Sequence, residues 1–133
     1  MKKMVFISSP YSGDVEKNTE KAKFYARIAA GCGHVPIAPH LYFPNFMDEE
    51  NATERIQGIE MGVEIMCACD EFWLMGGNIT RGMQYELERA KEMKLPVRLY
   101  DDNMNRIERK TMKLDDRLDE HYFELIKGIK FAK

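Results

Sequence analysis

Apolar positions along this chain alternate between short unbroken runs and a three-and-four spacing, the signature of strands interleaved with amphipathic helices. Residues 4–8 form a β-type run, stopped by Ser9-Pro10 and Ser12-Gly13. Asn18 is placed to cap a helix to about Ala30, with Ala22, Tyr25, Ala26 and Ala29 on one face. Gly31 and Gly33 end it, and residues 34–38 read as a second strand. A loop over 39–50 carries Tyr42, Phe43 and Phe46; so aromatic a connection predicts a lid or binding wall. A helix over 53–69 has the stripe Ile56, Ile59, Val63, Met66 and Cys67. Residues 70–75 predict a third strand, with Gly76-Gly77-Asn78 as its turn. A helix over 80–94 and a fourth strand over 96–100 complete the pattern. Beyond Asp101 the chain turns polar, then predicts an amphipathic helix over 116–131 with Leu118, Tyr122, Leu125, Ile126 and Ile129 on one side.

Strand–helix units in series predict an α/β fold. We expect a parallel sheet of four to five strands, right-handed crossovers and helices on both faces, flavodoxin-like or Rossmann-like. One domain spans 1–133, with a core over 4–101 and a C-terminal helical extension over 106–133. Ligands of such folds bind beyond the carboxyl ends of the strands, at a topological switch point.

One position breaks the pattern. The stripe of the 80–94 helix runs Met83, Glu86, Leu87, Ala90, so a carboxylate stands where an apolar side chain belongs. Burying it is costly unless it is paired or hydrogen-bonded, which makes Glu86 an ion-pair member, a snorkelling side chain or a working acid, base or nucleophile. Glu88 and Glu92 fall on the solvated face.

Composition narrows the classes. At 133 residues, 44% hydrophobic and 32% charged, the chain has an ordinary soluble composition and enough length for one core. A net charge of −2 without a basic run argues against a nucleic-acid polymer as partner. No apolar stretch has membrane-spanning length, and a cytoplasmic location is expected. Cys32, Cys67 and Cys69 provide neither a disulfide framework nor zinc-site spacing, so reduced thiols and no metal are expected.

Three loops should meet at the switch point: Ser8-Ser9-Pro10-Tyr11-Ser12-Gly13, the aromatic loop, and Gly76-Gly77-Asn78-Ile79-Thr80-Arg81-Gly82 leading into the Glu86 helix. Small residues ahead of a helix N-terminus suit an anion. Neither glycine run matches a dinucleotide or Walker fingerprint, so no cofactor is expected.

In this order the residues resemble the nucleoside 2-deoxyribosyltransferase superfamily, including the deoxynucleoside monophosphate N-glycosidases and small bacterial or phage-type members. Four stretches carry the likeness: Val5 to Gly13, Gly33 to Pro39, Cys69 to Leu74, and Thr80-x-Gly82-x-x-x-Glu86. The resemblance implies a fold, an activity and roles. Glu86 would be the nucleophile at C1′ of the sugar, with Glu60 as a second carboxylate assisting the leaving base and Tyr11 beside them. Thr80, Arg81 and Gly82 would hold a 5′-phosphate. Phe6, Ser8, Ser9, Ser12, Gly13, His40, Gly76 and Gly77 would line the sugar and phosphate pocket. Two positions depart from the family pattern: Phe6 stands where a tyrosine often bonds the nucleophile, and Ser12 replaces a first-loop arginine. The implied partner is a nucleoside or nucleotide, in a homodimer or higher homo-oligomer. The implied activity is hydrolysis or transfer at an N-glycosidic bond. Two alternatives stand beside it: a catalytically inactive nucleotide-sensing module of the same fold, and an assembly domain acting through its C-terminal helix.

Overall fold

A computed structural model describes residues 2–108, 113–114, 129 and 131. The elements are β1 (Met4–Ser8), α1 (Val15–Gly31), β2 (Val35–Ile37), α2 (Ala52–Met66), β3 (Glu71–Gly76), β4 (Asn78–Ile79), α3 (Arg81–Glu92), β5 (Val97–Asp101) and β6 (Lys113–Leu114). The first four strands of the expected sheet are all present, in the parallel order β2-β1-β3-β5. The chain steps outward from β1 to β2, then crosses back to β3. The switch point therefore lies between β1 and β3.

Period-two alternation sorts the sheet residues onto two cores. Val5, Ile7, Trp73, Met75 and Tyr100 pack with Tyr25 and Ala29 of α1 on one face. Phe6, Phe72, Leu74, Val97 and Leu99 pack with Met66 of α2 and with Met83, Leu87 and Ala90 of α3 on the other. One charged group is buried in the sheet. Glu71 accepts from Lys3 Nζ at 2.8 Å, Trp73 Nε1 at 3.0 Å and Arg98 Nε at 2.7 Å. Burial alone pushes its carboxyl up, but the three donors outweigh that and hold it down at about 2.

Several boundaries differ from the sequence reading. Helix α1 begins a turn earlier, capped by Asp14, whose carboxylate accepts from Lys17 N at 3.1 Å. Asn18 instead donates through Nδ2 to the carbonyls of Tyr11 and Ser12, tying down the first loop. Asn51, not Thr53, caps α2, and that helix stops at Met66. Of its expected stripe Met66 is buried, but Ile56, Ile59 and Cys67 are exposed and Gly62 is buried in their place. The turn expected at 76–78 is shorter. Gly76 and Gly77 take positive φ of 96° and 72°, a conformation that suits glycine, and Asn78–Ile79 follows directly as β4, paired with Lys113–Leu114. The helix expected over 116–131 lies outside the described residues except at Ile129, which is buried in the α2–α3 core, and Phe131, which bridges to Val97. Among the described residues no helix is long and apolar enough to cross a membrane.

Candidate active site

Helix α3 begins at Thr80, whose Oγ1 accepts from Met83 N at 3.3 Å. Six residues on, Glu86 comes back over the end of β1. Ser8, the last residue of β1, is buried and donates its Oγ to Glu86 Oε1 at 2.8 Å. Among the described residues no lysine or arginine lies within ion-pair distance of this carboxyl. The protein atoms packed around it raise its pKa to about 8, and the Ser8 hydrogen bond only partly opposes that shift.

Glu86 lines a cavity enclosing about 70 Å³ at the switch point. Gly82, one turn earlier on α3, leaves room above the carboxyl. Gly58 and Gly62, one turn apart on α2, form part of the wall beside Ile59. Pro39, His40 and Phe43 close it from the aromatic loop, and Glu49, Arg55 and Tyr85 complete the lining. A volume this small holds waters rather than a nucleoside.

His40 is fixed from two sides. Its ring stacks on Tyr11, with centroids 4.8 Å apart, and it hydrogen-bonds the carbonyl of Ser9. Burial lowers its pKa to about 4 against that hydrogen bond, so the imidazole is neutral at physiological pH.

The sequence-derived residues thus divide. Ser8, His40, Gly82 and Glu86 come together, with Tyr11 behind His40. Ser9 is buried beside them, its Oγ without a hydrogen-bond partner among the described residues. Phe6 is fully buried and stacked on Phe72 at 5.6 Å, so it belongs to the core rather than to the cavity. Glu60 is solvent-exposed and outside the lining, because the α2 stripe is rotated away from the expected one. Gly76 faces Tyr25 and Pro10, and Gly77 faces Asp101 and Ile107, both off the cavity. The Thr80 hydroxyl serves as a helix cap. Ser12, Gly13 and Arg81 lie on the exposed rim of their loops. Glu49, Arg55, Gly58 and Gly62 were missed. The glycines did carry a signal: two at four-residue spacing inside a helix cost stability and open one face.

A four-stranded parallel sheet with a carboxylate at the β1/β3 switch point defines the architecture of a small α/β domain. The chain belongs to the family described as Domain of unknown function (DUF7768), whose model matches residues 3–100. No curated protein matches it. Among solved structures it is similar to a 2-deoxyribosyltransferase from Bacillus psychrosaccharolyticus, at 13% identity and a TM-score of 0.63, covering 98% of this chain and 99% of that one. It is also similar to a 2-deoxyribosyltransferase from Leishmania mexicana, at 14% identity and a TM-score of 0.58, covering 93% and 96%. At these identities the likeness is one of fold.

Proposed function

We propose that this chain cleaves or transfers at the N-glycosidic bond of a nucleoside or nucleoside 5′-monophosphate, with Glu86 as the nucleophile. The observation that carries this reading is the Ser8–Glu86 pair: a carboxyl with no cation in ion-pair range among the described residues, held by the Ser8 hydroxyl and lining a cavity at the switch point. Such a group forms no structural ion pair, yet packing alone would favour an apolar residue there. Breaking an N-glycosidic bond passes through an oxocarbenium-like state that a carboxylate stabilises or traps. Ser8 supplies the hydrogen bond that a strand-one tyrosine often makes in the 2-deoxyribosyltransferase superfamily, which accommodates an apolar Phe6 at the matching position. The solved neighbours named as 2-deoxyribosyltransferases share this architecture and lend the reading its substrate class. Attack requires the ionised carboxylate, so release of a base that departs without protonation should rise as pH climbs through about 8.

Incubation with a panel of nucleosides and 5′-monophosphates, followed by chromatography, tests the reading. Free base is expected from at least one of them, and mass spectrometry should find a sugar adduct on the peptide containing Glu86. Glu86→Gln should abolish both. Tight nucleotide binding without base release at any pH would instead favour a sensing module.

A further inference from the structure

Resting on that reading, the structure raises the question of which group protonates the departing base. Glu60 is exposed and off the cavity, and Ser8 is already committed to Glu86. His40 is neutral and bonded to the Ser9 carbonyl, so it has little tendency to hold a second proton. One other carboxyl lines the cavity among the described residues: Glu49, at the end of the aromatic loop.

We propose that Glu49, carried by the aromatic loop and poised by Arg55, is the acid and base that exchanges a proton with the leaving group and then with water. Three features of its setting fit that work. Glu49 is half-buried and lines the same small cavity as Glu86, but from the loop preceding α2 rather than from α3. Its backbone neighbours are tied up by Asp48, which accepts from Glu50 N at 3.0 Å, and by Asn51, which caps α2; the Glu49 side chain takes part in neither bond. Burial raises its pKa, and of the charges facing it Arg55 lowers it while Asp48 raises it. The phenol of Tyr11 also lies within the field of Glu49. A carboxylic acid in such surroundings holds a proton nearer neutral pH than an exposed one does.

The bonds balance as follows. A Glu86 oxygen forms a bond to C1′ while the C1′–N bond breaks, its electron pair passing to the base nitrogen, which takes the proton from Glu49. Glu49, now a carboxylate, accepts a proton from water as the water oxygen attacks C1′. The ester bond to Glu86 breaks and returns its electron pair to that carboxylate. A second base attacking in place of water gives transfer.

Placing the acid on a loop has a consequence for substrate entry. The segment that walls the cavity with Pro39, His40 and Phe43 also carries the proton donor, so any movement of that loop on substrate entry moves the donor with it.

Leaving-group chemistry tests this directly. The N7-methyl derivative of deoxyguanosine already carries a positive charge on its base and departs without protonation. With Glu49→Gln, base release from deoxyguanosine should fall about 10²–10⁴-fold, the usual contribution of a positioned acid. Release from the methylated compound, read for both compounds in the first turnover before water must attack, should stay within a few-fold of wild type. An equal loss on both compounds would make Glu49 a binding or structural residue and overturn the inference, as would no loss on either. Glu86→Gln run in parallel should abolish release from both. If it does not, or if the wild type releases neither base, the reading of Glu86 as nucleophile fails, and the assignment of Glu49 fails with it.

Discussion

Glu86 shares its helix face with Met83, Leu87 and Ala90, and its one described hydrogen-bond partner is the Ser8 hydroxyl. That setting has a thermodynamic signature. An ordinary carboxyl near 4.5 in the unfolded chain and near 8 in the folded one means that the native state retains a proton the unfolded state has lost. Stability therefore falls as pH rises between those two values and levels off above them. The neutral amide of Glu86→Gln does not titrate. Its melting temperature should thus gain on wild type steadily from about pH 4.5 to about pH 8, then hold a constant margin. A variant that melts far below wild type at every pH would make Glu86 a structural residue, since breaking a buried ion pair costs roughly 3–5 kcal/mol.

At the scale of elements, α2 carries the clearest conflict between stability and site. Gly58 and Gly62 fall one turn apart on the face that borders the cavity, and a Cβ at Gly58 would meet open space. Glycine inside a helix is about 0.5–1 kcal/mol less stable than alanine. Gly58→Ala should therefore raise stability by about that much in denaturant melts, while weakening nucleoside binding because the methyl enters the space beside Glu86. The helices were legible because each buries one face, which leaves a three-and-four spacing, and the strands because the sheet is covered on both faces, which leaves short unbroken apolar runs. Helix starts were less so: Asp14 and Asn18 both have capping side chains, and only the folded first loop decides between them. The stripe of α2 misled because Ile56 and Ile59 are exposed, Ile59 lining the cavity rather than a core. Glu49 left no trace at all, since a loop has no period against which an odd residue can stand out. The pairing of β4 with β6 was hidden for a related reason, each strand being two residues long.

Across the whole molecule, apolar surface concentrates around the aromatic loop and the free edge of the sheet. Tyr42 is 63% exposed and Phe46 56% exposed, their rings 5.1 Å apart. An apolar groove of about 430 Å³ runs beside edge strand β2, lined by Pro36, Ile37, Leu41 and Tyr42 among others. Surface of this kind is usually covered. We expect self-association, with sedimentation showing at least a dimer at tens of micromolar, roughly the range of a weak dimer. Phe46→Ser should shift the population toward monomer, and a wild type that sediments as a monomer would refute the expectation. The sheet also divides the chain optically. Its single tryptophan, Trp73, lies on the α1 side, bonded to Glu71 and in ring contact with Tyr100 and His34, while Glu86 stands on the other side. Intrinsic fluorescence will therefore follow the loosening of α1 from the sheet and stay nearly silent when a molecule enters the cavity. A dye-free melt reads folding alone, and occupancy of the site needs a label placed on the aromatic loop.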